Sequence, residues 1–441
     1  MQMKTTSSGK RRSRRFIYAA IAVAAGAAMA AVPEVSNVTM EQAQDRLVTI
    51  TYQLSDAPAV VTLDIQTNAN VNAAANDPGW TSIGGEVIST AKGDVWKKVS
   101  GKSIYTIKWR PDKSWRDEND EGFKIDANGA RARVTAWPID NTPDYMVVDV
   151  SAAAQPDTQT YYPSFDFVPG GVTNSLYKTG SLLMRKIMAK DVTWMMGSVA
   201  EEGRIATRET SHQVTLTNNY YIGIYPVTLT QWRQVAGYTP SQHPTDLTMA
   251  PVVFVSYTDI RQGKGTESTY ASATGGVYPA EPYEDSFLGL LRTKTGLDFD
   301  LPSEAQWEFA ARAGNGEGYW GNGSAMRIAA NKDVNLAKLG RYQYSEDGSN
   351  RGAIVGSYAP NAWGLYDVHG NVWEWCLDRY ADNITGLNGA VKTGSSGNCS
   401  QRGGAWSAVA GNCRPAYRAS AIPTGRCSTD GFRLLCTAGL Q

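Results

Sequence analysis

Leu301–Gly314 reads LPSEAQWEFAARAG and Asn361–Trp375 reads NAWGLYDVHGNVWEW; these two stretches decide the fold. In the first, the Ser303 hydroxyl precedes a helical pattern and Gln306 follows three residues later. That is the reciprocal cap in which each side chain satisfies the other's backbone N–H. The spacing predicts a helix over Ser303–Arg312, closed by Gly314 in the left-handed conformation that glycine tolerates. Trp307, Ala310 and Ala311 fall on one face and read as packing rather than as a site. Thr228 with Gln231, and Ser256 with Asp259, repeat the capping pattern. From Ser181 to the end, short capped helices therefore alternate with Trp- and Gly-rich segments.

Working back toward the N-terminus, the pattern changes. Arg46–Leu54, Pro58–Gln66, Ser103–Arg110, Ala130–Pro138 and Tyr145–Val150 alternate apolar and polar residues with many β-branched side chains, and turn clusters separate them. Residues 31–151 therefore read as an antiparallel β-sandwich of immunoglobulin or fibronectin type, without cysteine and so without an intersheet disulfide. Residues 152–180 read as a connector and 181–441 as a second folded unit. The acidic loop Asp117–Glu121 reads as solvated. Ahead of all this, Lys10–Arg15 is basic, Phe16–Ala31 is apolar and Ala28-Met29-Ala30 is small, which reads as a signal peptide over 1–30. Roughly fifteen apolar residues fall short of the ~20 that a membrane span needs. No cysteine follows the run to carry a lipid. The expected location is periplasmic, cell-surface or secreted, with the membrane met only through the signal peptide.

Composition narrows the function. The chain has 42 Lys+Arg against 42 Asp+Glu, so it lacks the basic excess of a nucleic-acid binder. With 43 Gly and 19 Pro it is no long-helix protein. His212, His243 and His369 are too scattered to make a three-histidine metal centre.

In order along the chain, WMMGS (194–198), the run from Glu209 through His212-Gln213-Val214 to YIGIYPVT (221–228), PVVFVSY (251–257), LPSEAQWE (301–308), NAWGLYDVHGNVWEW (361–375), RGGAW (402–406) and GFR (431–433) resemble the sulfatase-modifying-factor family, whose founding member is the formylglycine-generating enzyme. The resemblance implies an α+β, C-type-lectin-like fold with much irregular backbone. Formylglycine-generating members oxidise a protein cysteine using two cysteines that hold copper through thiolates. Here the second position is Cys413, but the first is Ala408, and the serine expected after the glycine pair is Ala405. The copper site is incomplete and copper is not expected. An iron-dependent branch takes its histidines from an added helical domain, where this chain has β-rich sequence.

The resemblance further implies calcium, a hard cation that takes carboxylate and carbonyl oxygens. One implied site is Asp367, Gly370, Val372 and Glu374; the other is Asn335, Leu336, Asp347 and Ser349. A structural disulfide between Cys376 and Cys413 is implied by relatives that lack the copper pair. Cys399 with Cys436 is a second pairing, leaving Cys427 over.

One segment stands out in composition. Lys, Glu, Gln, Met and Trp make up 73 of the 441 residues, roughly one in six, yet Ser407–Asp430 (SAVAGNCRPAYRASAIPTGRCSTD) contains none. Every residue in it can be encoded by a codon ending in a pyrimidine. Some members of this fold are diversified by retroelements that rewrite the adenines of asparagine codons. Ser407, Ala408, Val409, Tyr417, Ala419, Ser420, Ala421, Ile422, Thr424, Gly425, Cys427, Ser428 and Thr429 fit the resulting alphabet. Asn412, Cys413, Arg414, Ala416, Arg418, Pro423 and Arg426 form a frame between them, in which Arg418 is expected to pair with a buried carboxylate or carbonyl. With Trp406, the thirteen are the candidate ligand-binding face, for an unidentified protein or glycan. The leading reading is an exported binding protein. The alternatives are an oxidoreductase acting on protein cysteine through Cys413, and a structural extracellular protein.

Overall fold

The computed structural model describes residues 32–115, 129–199, 203–262, 281–345, 351–393 and 397–437. The signal-peptide segment 1–30, the acidic loop 117–121, and Asp347 and Ser349 of the second implied calcium site lie outside the described residues. The described residues from Pro33 onward form one compact unit. Among the described residues, no helix is long and apolar enough to cross a membrane.

Four of the five strands read in the N-terminal region form two sheets. Val35–Gln42, Val48–Leu54, Tyr105–Trp109 and Lys92–Gly93 make one. In the other, Ala59–Thr67 pairs with Ala130–Pro138 in unbroken register from Ala59↔Pro138 to Thr67↔Ala130. The alternation in the sequence becomes a shared interior: Ile50, Tyr52 and Ile107 from the first sheet and Val61, Leu63, Ile65 and Val134 from the second lie in one cluster. The fifth strand goes elsewhere. Tyr145–Asp149 pairs with Thr160–Tyr162 and Ser181–Ile187. The resulting six-stranded sheet continues through Tyr220–Gly223, Leu435–Thr437 and Phe299–Asp300. Periodicity marks a strand but says nothing of its partner. Here the buried Met146 and Val148 pack into the second cluster, with Trp232, Phe287 and Phe432.

All three capping boxes form, on helices α1 (Leu229–Ala236), α2 (Tyr257–Arg261) and α4 (Glu304–Arg312). A further helix, α3 (Phe287–Thr295), is capped by Ser286 and closed by left-handed Gly296. At the end of α4 it is Ala313, with φ 49°, that first turns left-handed; Gly314 follows at φ 82°. Trp307, Ala310 and Ala311 are buried, as their spacing requires.

A further four-stranded sheet places the site. Trp373–Arg379 pairs with Cys399–Arg402, which pairs with Ala419–Ala421, and Asp430–Gly431 joins the other side of 373–379 in parallel. The segment 407–430 thus leaves this sheet after 402, returns to one edge at 419–421, and ends on the opposite edge at 430.

Candidate functional site

Three bidentate arginine–carboxylate pairs fasten 407–430 to the body of the protein. Arg414 donates to both oxygens of Glu209, at 2.7 and 2.9 Å. Arg418 donates to both oxygens of Glu304, at 2.6 and 2.7 Å. Arg426 donates to both oxygens of Asp259, each at 2.8 Å. The planar guanidinium fork fixes orientation as well as distance. The carboxylates come from three separate elements: the loop before strand His212–Leu216, the first turn of α4, and α2. Arg418 also donates to the carbonyls of Arg208, Ala381 and Asp382. The expectation that it pairs with a buried carboxylate is met. Glu304 and Asp259 were legible only as cap-region residues, and Glu209 only as part of a family segment.

Beneath these pairs lies a wider charge network. Arg402 bonds Glu304 at 3.0 Å and also reaches Glu308, while Arg312 donates to Glu308 at 2.9 Å. Ser400 donates to Glu304 at 2.6 Å. Burial alone would raise the Glu304 carboxyl; Arg418 and Arg402 outweigh it and hold it down to about 2. Asp378, which accepts the backbone N–H of Glu304 and of Lys392, goes the other way. Burial and the Glu304 charge raise it to about 7.

Main-chain bonds hold the segment too. The N–H groups of Gln343, Thr258, Phe254 and Trp373 donate to the carbonyls of Ala408, Pro423, Cys427 and Thr429. Trp406 closes the loop by donating its indole N–H to the Ser428 carbonyl at 3.2 Å. Such contacts do not depend on the side chains at the accepting positions.

Between the anchors, side chains reach the surface. Ser407, Ile422 and Cys427 are exposed, and Trp406, Val409, Tyr417, Ala419, Ser420, Ala421, Thr424, Gly425, Ser428 and Thr429 are half-buried. Ile422 is 60% exposed. Frame residues Arg414, Ala416 and Arg418 are buried. Ala408 departs from expectation: it is 8% exposed and packs with Trp320, Tyr342 and Cys413, so it belongs to the core under the face. The half-buried Trp373 was not read as part of the site. It lies with its ring 5.8 Å from that of Tyr417 and extends the aromatic area.

The expected Cys376–Cys413 disulfide is not formed, nor is Cys399–Cys436; no disulfide links the five cysteines. Cys376 and Cys413 sit in different clusters, the first with the Trp307 side of α4 and the second with Trp320 and Ala408. Cys413 is enclosed, and a Cβ placed on Gly404 would stand 2.5 Å from its sulfur. Burial pushes its thiol far up, which disfavours the thiolate a soft metal needs. His369 lies beside it, donating from Nδ1 to the Cys413 carbonyl and accepting the Gly321 N–H at Nε2. Burial lowers its pKa to about 4, so it is a neutral, fully bonded core histidine.

The first implied calcium site fits in part. Glu374 is buried and both its oxygens are taken by Arg433, at 2.6 and 2.7 Å, with Trp307 adding a third bond. Its charge is already balanced. Asp367 is buried, accepting from Gly356 and Asn371, and burial raises it to about 6. Of the two carboxylates, Asp367 is the one whose charge a cation could still meet. In the second site, Asn335 bonds the Ala325 carbonyl, and the loop is organised by the buried Asp333, which accepts from Asn335 and Leu336.

The family model described as Sulfatase-modifying factor enzyme 1-like domain matches residues 153–438. A formylglycine-generating enzyme of Streptomyces coelicolor is 33% identical over 149 residues, 32% of this chain and 47% of the relative. Among solved structures, PvdO from Pseudomonas aeruginosa superposes with a TM-score of 0.46 at 24% identity, covering 58% of this chain and 94% of that one. Treponema denticola variable protein 1 gives 0.43 at 26%, covering 58% and 95%. The chain spans 27% and 47% of the length of the first two curated relatives it matches.

Proposed function

The chain belongs to the sulfatase-modifying factor enzyme 1-like family, and from that premise we propose that it is an exported binding protein whose 407–430 segment is a display surface rather than the rim of an oxidase site. The observation that carries this is the division of labour within the segment. Arg414, Arg418 and Arg426 clamp it to Glu209, Glu304 and Asp259, and twelve of the thirteen candidate positions around them are exposed or half-buried. Breaking one of the two buried pairs, Arg414–Glu209 or Arg418–Glu304, costs about 3–5 kcal/mol; Arg426, its side chain 30% exposed, holds less, and exposed substitutions away from special features stay within about 0.5 kcal/mol. A surface on such a frame can change its side chains without losing its shape. Trp406, Tyr417 and Trp373 supply rigid aromatic anchors of the kind recognition surfaces favour. The partner is a protein or glycan, and retroelement diversification of the thirteen candidate codons, twelve of them at exposed or half-buried positions, would account for their alphabet. The two N-terminal sheets act as a sandwich-type stalk, and calcium, if bound, engages Asp367.

The decisive experiment pairs genetics with copper. The coding segment for 407–430 should have a near-copy beside a reverse-transcriptase gene, differing from it at adenines. Absence of such a copy, together with tight copper(I) binding at Cys413, would replace this reading with the oxidase one. Melting with and without a chelator tests calcium. Identical curves after exhaustive metal removal would remove it, since a ligand at a hundred times its Kd adds about 2.7 kcal/mol.

A further inference from the structure

A cleft of about 650 Å³ lies where the N-terminal sheets meet the six-stranded sheet, and it shares no lining residue with 407–430. Its volume is within the range of small-molecule sites, which favour such junctions. The walls are fixed by main-chain bonds. The Tyr161 N–H donates to the Trp96 carbonyl at 2.8 Å, joining the strand at 160–162 to the chain just before Lys97–Val99. The Asp157 N–H donates to the Thr295 carbonyl at 3.0 Å, joining the connector to the end of α3. There Gly296 is left-handed, and a Cβ on it would stand 2.9 Å from Asp157 Oδ1, so the carboxylate lies against the glycine.

The wall chemistry is divided. Lys97 and Lys98, both exposed, come from one strand of the N-terminal sheets. Asp157 comes from the connector and Asp298 from the turn between α3 and Phe299–Asp300, with Asp140 at the turn after Ala130–Pro138. Leu297 and Cys436 supply buried apolar floor. Gln159 also lines the cleft. It is 7% exposed, and its Oε1 has no hydrogen-bond partner. A buried acceptor without a donor has lost its water with nothing in return. This one is short of a single N–H or O–H.

We propose that the cleft binds a small zwitterion of amino-acid type, a free amino acid or short peptide. Its ammonium group donates to Gln159 Oε1 and faces Asp157 and Asp298. Its carboxylate faces Lys97 and Lys98, and its side chain lies over Leu297. Asp298 also lies 4.0 Å from Arg292; a neutral sugar would satisfy Gln159 without using the opposite charges of the two walls, and an ordered water would satisfy Gln159 alone.

The test titrates the full chain with the twenty free amino acids and a set of glycyl dipeptides, with uncharged monosaccharides as controls, by calorimetry. At least one zwitterion should bind. Gln159→Leu should weaken that binding at least about tenfold, and so should the double change Lys97→Ala, Lys98→Ala. The lysines are exposed, so the double variant should melt with the wild type and keeps the test valid should Gln159→Leu misfold. No binding by any zwitterion, preference for the sugars, or affinity indifferent to the lysine change would each overturn the proposal.

Discussion

Replacing Arg418 by methionine is the sharpest test of the clamp. Methionine keeps the apolar stem and removes the guanidinium. Arg418 is 2% exposed; its loss would strip Glu304 of two charge-assisted bonds at 2.6 and 2.7 Å. It would also leave the carbonyls of Arg208, Ala381 and Asp382 without this donor. Glu304 would keep Arg402 and Ser400, so its charge would not be wholly orphaned. Breaking a buried pair costs about 3–5 kcal/mol, and the surviving Arg402 bond places the expected loss near the middle, about 4 kcal/mol. In a cooperative melt of a unit this size, that is a fall of about 5 °C. The same measurement on Ile422→Ser, an exposed neighbour four residues on, should stay within about 0.5 kcal/mol. Equilibrium urea unfolding followed by tryptophan fluorescence reads both. A loss below about 1 kcal/mol for Arg418→Met, or equal losses for the two variants, would refute the claim that the segment is held by its arginines and displayed between them.

Phe432→Ala should cost about 3–5 kcal/mol in the same assay, because Phe432 is fully buried against Trp232 and Phe287. Gly404→Ala should also be destabilising, since φ is +78° and the added carbon would meet Cys413 Sγ; a neutral result would mean the Cys413 pocket is looser than described. In the native protein, alkylation followed by peptide mapping should label Cys427 alone, because the other four cysteines are buried, and labelling of Cys413 would contradict its enclosure. The pH dependence has a defined sign. Asp378 sits at about 7 folded against about 3.9 unfolded, so its contribution is full below pH ~4 and is lost as pH rises through 7. Melting temperature should therefore fall from about pH 5 to pH 8, and a carboxyl-carbon titration of Asp378 with a midpoint near 4 would count against the assignment.

Local chemistry was legible in the sequence because its causes are local. A hydroxyl and an acceptor three residues apart suffice to start a helix, and Thr228, Ser256 and Ser303 all do so. Period-two alternation marked four strands of the N-terminal sheets, and the composition of 407–430 marked a segment in which twelve of the thirteen candidate positions are exposed or half-buried. Of the frame residues inside it, Cys413, Arg414, Ala416 and Arg418 are buried, whereas Asn412 and Pro423 are half-buried and Arg426 is exposed. Pairing across distance was not legible. Tyr145–Asp149 has the same alternation as its predecessors yet joins a different sheet, because the partner edge at 181–187 exists only after folding. Ala408 has the size and alphabet of a displayed residue, but the chain turns it inward beside Cys413. Cys376 and Cys413 looked pairable only by analogy, and the fold places them in different clusters. The three carboxylates that hold the face are spread from 209 to 304, and no spacing rule links them to 414, 418 and 426. Which groups carry charge follows from residue identity; which of those charges had to meet was decided only by the tertiary structure, which excludes water from around them.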